Sequence, residues 1–136
     1  MKQTLTLAAA LMALAAPVFA EGDAATGEKE FRKCKSCHMI ASADEAIVKG
    51  GKTGPNLYGV IGRTAGTAED FSYGDDLKAA GDAGLVWDEA SLAAYIEDPK
   101  AFLQETLDDK GAKSKMTFKM RKNAGDVAAY LATFSE

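Results

Sequence analysis

The 136-residue chain has one histidine, one tryptophan, two cysteines and three prolines. A zinc centre built from Cys and His needs a fourth protein ligand, and no spare cysteine or histidine is left to supply it. One histidine already committed to a metal or cofactor leaves none for a Ser/His/Asp or Cys/His catalytic set. Positive charge is also in deficit, with 16 Lys and Arg against 20 Asp and Glu, a formal net charge of −4. That balance argues against nucleic acid as a partner of the whole surface. No stretch alternates convincingly between apolar and polar residues, and no internal repeat is visible. No apolar run reaches the roughly 20 residues a membrane span requires. With 47% apolar and 26% charged residues, the composition excludes disorder, a collagen-like fibre and a multi-pass membrane protein. One domain with a real core is expected.

The first twenty residues, MKQTLTLAAALMALAAPVFA, have the order of an export signal. Lys2 supplies the positive start, Leu5–Ala16 is an Ala- and Leu-rich apolar stretch, and Pro17 breaks any helix. Val18 and Ala20 then put small residues at −3 and −1 of a cleavage point before Glu21. The expectation is a signal peptide over 1–20, cleaved after Ala20, and a mature chain over 21–136 in the periplasm. That chain would span no membrane. Removing Lys2 leaves 15 basic against 20 acidic residues.

Helical signals are few and short. Residues 23–36 read as a helix with Asp23 as N-cap and Phe31 as its large apolar residue. A short helix is expected around Gly74–Ala80, stopped by Gly81. Asp88 caps a clearer one, with Leu92, Tyr95 and Ile96 on one face at i, i+3 and i+4. Asp98-Pro99 restarts a helix, with Pro99 at its first position and Phe102 and Leu103 inward. The last runs from about Asn123 to Phe134, its stripe formed by Val127, Tyr130, Leu131 and Phe134. Residues 41–71 show no helical or strand period and carry Gly50, Gly51, Gly54, Gly59, Gly62 and Gly66. A loop that long in a compact domain implies that something else fills the core. A flat apolar cofactor removing ~300 Å² from water contributes roughly 7 kcal/mol at about 25 cal/mol per Å². Domain stability is only about 5–15 kcal/mol, so such a group could decide whether the chain folds.

Both cysteines and the histidine fall in one pentapeptide, Cys34-Lys35-Ser36-Cys37-His38. C-x-x-C-H is the attachment motif for c-type haem. Residues three apart at a helix end lie on one side, so both thiols reach the vinyl groups along one porphyrin edge, and the next residue aims its imidazole at the iron. A thioredoxin-like redox pair expects a βαβ setting that the pattern lacks. A soft thioether is the suitable sixth ligand for a haem of raised potential. Met39 is tethered to the wrong face of the ring. Met116 and Met120 both lie where a loop could return over the other face, and spacing alone does not separate them.

A wider set of residues carries a resemblance. Cys34–His38, Thr53-Gly54-Pro55-Asn56-Leu57, Gly62-Arg63, Phe71-Ser72-Tyr73, Trp87, Tyr95, Pro99 and Lys115-Met116-Thr117-Phe118 fall in the order of class I cytochromes c. The chain is most similar to the bacterial cytochrome c2/c550 group, over essentially all of residues 21–136. Loops longer than in the short mitochondrial type, between His38 and Thr53 and between Pro99 and Met116, fit that group. The resemblance implies a small, mostly α cytochrome c fold, with about five short helices and long loops wrapped around one haem. It implies one covalent haem c on Cys34 and Cys37, with His38 and Met116 as axial ligands of the iron. Pro55 matches the carbonyl that accepts the imidazole N–H, which fixes the tautomer. Tyr95 matches the tyrosine near the methionine sulfur, and Trp87, Tyr73 and Arg63 match donors to a haem propionate. Phe118 completes the K-M-x-F setting and joins the haem contacts. Gly27, Phe31 and Tyr130 match the contact of the first and last helices. One departure is Leu77, where many relatives carry asparagine.

The net charge conceals a separation. Residues 69–109 hold twelve acidic and two basic residues, whereas 110–122, KGAKSKMTFKMRK, hold six basic and no acidic ones. The expected docking face is a lysine ring of Lys35, Lys100, Lys113, Lys115, Lys119 and Lys122 around the exposed haem edge, steering the protein onto acidic sites. Resemblance and charge together imply a soluble, monomeric periplasmic electron carrier, not an enzyme. It would take single electrons from the cytochrome bc1 complex to a terminal oxidase or photosynthetic reaction centre. The competing expectations are a peroxidase or gas-binding haem protein with an open sixth position, and a domain working only within a larger redox assembly.

Overall fold

A computed structural model describes residues 22–134. The expected export signal lies outside the described residues. Helix α1 (Ala24–Glu30) runs on into a 3-10 turn (Phe31–Lys33), and a two-stranded ribbon follows, β1 (Ile40–Ala41) with β2 (Ala46–Val48). Helices α2 (Asp75–Asp82), α3 (Glu89–Glu97), α4 (Pro99–Thr106) and α5 (Ala124–Ala132) complete the order. The mostly α fold with five short helices is as expected.

Local chemistry explains the helix starts. The Asp23 carboxylate accepts from the backbone N–H groups of Ala25 and Thr26, satisfying donors the first turn cannot pair. Asp88 and Ser91 form a reciprocal capping box at α3, with Ser91 N–H donating to Asp88 at 2.7 Å and Asp88 N–H to the Ser91 hydroxyl at 3.0 Å. Asp98 caps α4 through Ala101 N–H, and Pro99 occupies the position where a missing N–H costs nothing.

Two expectations are corrected. Gly81 does not stop α2; it lies inside the helix, buried, because a Cβ there would strike the Ala65 carbonyl. The chain reverses at Gly84, whose φ of +104° only glycine adopts readily. The glycine-rich loop also contains the ribbon, pairing Ile40 with Val48 and Ala41 with Ala46 across an irregular register. Strands of two and three residues are too short to show a period of two.

Helix α5 packs on both α1 and α3. It meets α1 at Gly27, where a Cβ would land on the backbone of Asp126 and against Tyr130. Just beyond, the rings of Phe31 and Tyr130 sit with centroids 5.7 Å apart. Trp87, Tyr95 and Phe102 form a second aromatic cluster, with centroids 5.1 to 5.8 Å apart. It joins α3 to α4, while Leu103 is fully buried. Gly27→Ala should therefore force α1 and α5 apart and cost roughly 1–3 kcal/mol or more, as overpacking at a tight contact does. Urea unfolding of the holoprotein followed by far-UV circular dichroism measures this as a lower midpoint.

Candidate functional site

The 3-10 turn delivers the chain directly into the C-x-x-C-H pentapeptide. Cys37 and His38 N–H both donate to the Cys34 carbonyl, at 3.2 and 2.9 Å, closing the pentapeptide as one turn. The loop that follows folds back over it, with Gly51 N–H on the Lys35 carbonyl at 2.8 Å and Gly54 N–H on the Cys37 carbonyl at 2.7 Å. Gly54 then lies against the imidazole so closely that a Cβ would collide with the ring.

His38 Nδ1 donates to the Pro55 carbonyl at 2.8 Å. Burial holds this imidazole below its ordinary pKa, opposed by the Pro55 bond, so the ring is neutral at pH 7. With Nδ1 occupied, Nε2 keeps its lone pair for a metal. Asn56 fixes the carrier loop: its side chain accepts Ala41 N–H at 3.0 Å, donates to the Ala41 carbonyl at 2.7 Å and accepts Tyr58 N–H at 3.1 Å. Arg63 supports the same loop by donating to the Asn56 and Tyr58 carbonyls at 3.3 to 3.5 Å. Burial pushes the Cys34 thiol up to about 11, the neighbouring Cys37 adding to the effect.

Cys34, Cys37, His38, Gly54, Pro55 and Arg63 line a cavity of about 470 Å³. Leu57, Val60, Leu77, Leu92, Ile96 and Leu131 give it an apolar wall. Its volume falls in the range of about 300–1,000 Å³ usual for cofactor sites. Every residue expected at the cofactor contributes to the lining: Cys34, Cys37, His38, Pro55, Arg63, Tyr73, Trp87, Tyr95, Met116 and Phe118. Met116 is thereby distinguished from Met120, which is 3% exposed in the hydrophobic core and does not line the cavity. The Tyr95 hydroxyl pairs with the Ser114 hydroxyl at 3.4 Å, two residues from Met116, and its burial raises its pKa. The Tyr73 hydroxyl accepts Ala68 N–H at 3.2 Å. Among the described residues the Trp87 indole N–H has no acceptor, which leaves it available to a bound anion. Phe118, 43% exposed, stands at the mouth.

All six lysines of the expected face are exposed, and Lys113 and Lys115 border the cavity. Lys119 is not free: its ammonium lies 3.1 Å from Asp98. The sequence reading named Gly54 and Asn56 as motif residues and Asp98 as a helix cap; their further contacts, Gly54 on the imidazole, Asn56 on Ala41 and Asp98 on Lys119, join groups far apart in sequence.

The apolar volume, paired thiols on one turn, neutral imidazole and thioether donor fit a flat iron porphyrin. A helical shell of this kind closed over a C-x-x-C-H turn is that of a class I c-type cytochrome. No protein-family model matches the chain. Cytochrome c-551 of Roseobacter denitrificans is 62% identical over 136 residues, covering 99% of this chain and 97% of that protein. Cytochrome c2 of Rhodobacter capsulatus is 59% identical over 135 residues, covering 98% of each. The solved structure of that cytochrome c2 superposes with a TM-score of 0.81 at 60% identity, over 82% of this chain and 97% of its own. The chain belongs to the bacterial cytochrome c2/c-550 family, and it is an electron carrier with one covalent haem c.

Because Gly54 has no room for a side chain, Gly54→Ala should lower the yield of haem-loaded protein several-fold. Gly125→Ala, where a Cβ meets open space, should leave it unchanged. Haem per polypeptide, measured by pyridine haemochrome absorbance, checks both.

Proposed function

We propose that this chain is a soluble, monomeric periplasmic carrier that shuttles single electrons from the cytochrome bc1 complex to a terminal oxidase or a photosynthetic reaction centre. The export signal over residues 1–20, cleaved after Ala20, would deliver it there. Cys34 and Cys37 would hold the haem through thioether bonds, and His38 and Met116 would bind its iron. The observation that carries the reading is the shared lining of one cavity by His38, its Nδ1 held by Pro55, and by Met116.

Held between His38 and Met116, the group would supply one-electron chemistry and would offer a substrate no open position on its iron. The chain's own residues set the conditions. Pro55 holds the imidazole tautomer, and the apolar wall excludes water and favours the less charged ferrous state. Trp87, Tyr73 and Arg63, which border the same cavity, would meet the propionates. Arg63 would do so beside the carbonyls it already holds. Lys35, Lys100, Lys113, Lys115, Lys119 and Lys122 present positive charge to acidic partners, opposite in sign to the acidic 69–109 stretch.

Two outcomes are expected. Redox titration of the holoprotein gives a clearly positive potential that falls by on the order of 0.1 V or more in Met116→Ala; a low potential that Met116→Ala leaves alone rejects the axial assignment. Lys35→Glu with Lys113→Glu, side chains outside any ion pair among the described residues, slows electron transfer to an acidic partner about tenfold at low salt. Stopped-flow rates should converge with wild type at high salt, where the field is screened.

A further inference from the structure

The stretch carrying Met116 has no architecture of its own. Residues 112–121 are neither helix nor strand, and Met116, Thr117 and Phe118 make no backbone hydrogen bond among the described residues. Its course is set from outside, on both sides of the methionine. Before it, Lys113 N–H donates to Asp76 at 2.6 Å, and the Lys115 ammonium donates to the Ser72 carbonyl at 3.3 Å. After it, Met120 N–H donates to the Ile96 carbonyl at 3.0 Å. On either side of that bond the cations of Lys119 and Arg121 converge on one oxygen of Asp98, at 3.1 and 3.8 Å.

Asp98 is suited to anchoring. Its other carboxylate oxygen accepts Ala101 N–H at 3.1 Å as the N-cap of α4, which locks the side chain to the α3–α4 junction. Pro99 beside it is fully buried. The carboxyl lies below the usual range, first through Ala101 N–H and then through Lys119, and is charged at neutral pH. The Asp76 contact is to a neutral backbone N–H, so an uncharged acceptor could replace it. The Asp98 contact is the one that depends on charge.

We propose that Asp98 is a positioning residue for Met116: by pinning Lys119 and Arg121 it restrains the stretch from swinging outward and so slows departure of the thioether from the iron. This rests on the reading of Met116 as axial ligand. It gives Lys119 and Arg121 a task inside the molecule, distinct from any partner they meet.

The test is displacement of the thioether from the ferric holoprotein by excess imidazole. The methionine sulfur leaves, an imidazole nitrogen takes its place, and no electron moves. At saturating imidazole the rate reports thioether release. Asp98→Asn keeps an oxygen for Ala101 N–H but removes the charge. Lys119→Gln with Arg121→Gln removes the same interaction without touching the cap. Each should release about 3–10-fold faster than wild type at low salt, and all three substitutions together no faster than either set. Raising salt should speed wild type toward the variants and leave the variants unchanged, a response that a purely structural defect does not produce. Asp98→Asn or the Lys119/Arg121 pair releasing at the wild-type rate at low salt would overturn the proposal. Met116→Ala separates the two readings: it should bind imidazole faster than any of these, and a wild type already as fast would dismiss the axial assignment and the proposal with it.

Discussion

Everything in this fold follows from the backbone contact of the first helix with the last. Gly27 removes the side chain that would hold α1 away from Asp126 and Tyr130, and α5 in turn lies on α3. Because the C-x-x-C-H turn leaves α1 within a few residues, its thiols and imidazole are fixed relative to that helical base. The base supplies Leu92, Ile96, Val127 and Leu131 to one wall of the cavity. The two ends of the chain thus make a rigid floor, and the intervening loops close over it.

Those loops obey a different physics. They have few backbone ladders, and their conformations are held by single side chains that reach across large sequence separations. Asn56 ties the Pro55 loop to the ribbon through both the donor and the acceptor of Ala41. Asp76 and Asp98 hold the stretch around Met116. Loops of this kind could not bury a cavity of about 470 Å³ unaided without losing the contacts that a packed core provides. The haem is accordingly part of the core as well as the redox group, and covalent attachment keeps it there.

Charge is divided along the same lines. The acidic stretch builds α2 to α4, and the basic one is the irregular segment over the cavity. Their attraction is partly spent within the molecule, where the single charge of Asp98 offsets one of the two positive charges of Lys119 and Arg121. The basic stretch is therefore less free than a count of lysines suggests: Lys119 is paired, whereas Lys35 and Lys113 lie outside any ion pair among the described residues.

Short-range chemistry was legible without the structure. Asp88 and Asp98 cap helices because a carboxylate next to unpaired N–H groups acts within one turn. Cys34 to His38 declare their chemistry because the attachment geometry spans only five residues. The resemblance to the c2/c550 group extended that legibility to Pro55, Tyr95 and Met116. Position along an irregular segment carries no periodic sign of which side faces inward, so spacing left Met116 and Met120 open, and the tertiary structure puts Met116 in the cavity lining and Met120 in the core. It alone showed Gly81 inside its helix, because the Ala65 carbonyl that forbids a side chain there comes from another loop. It alone showed the second use of Asp98, because the cations it holds lie on the far side of Met116 and flank Met120, whose N–H bonds to the Ile96 carbonyl of α3.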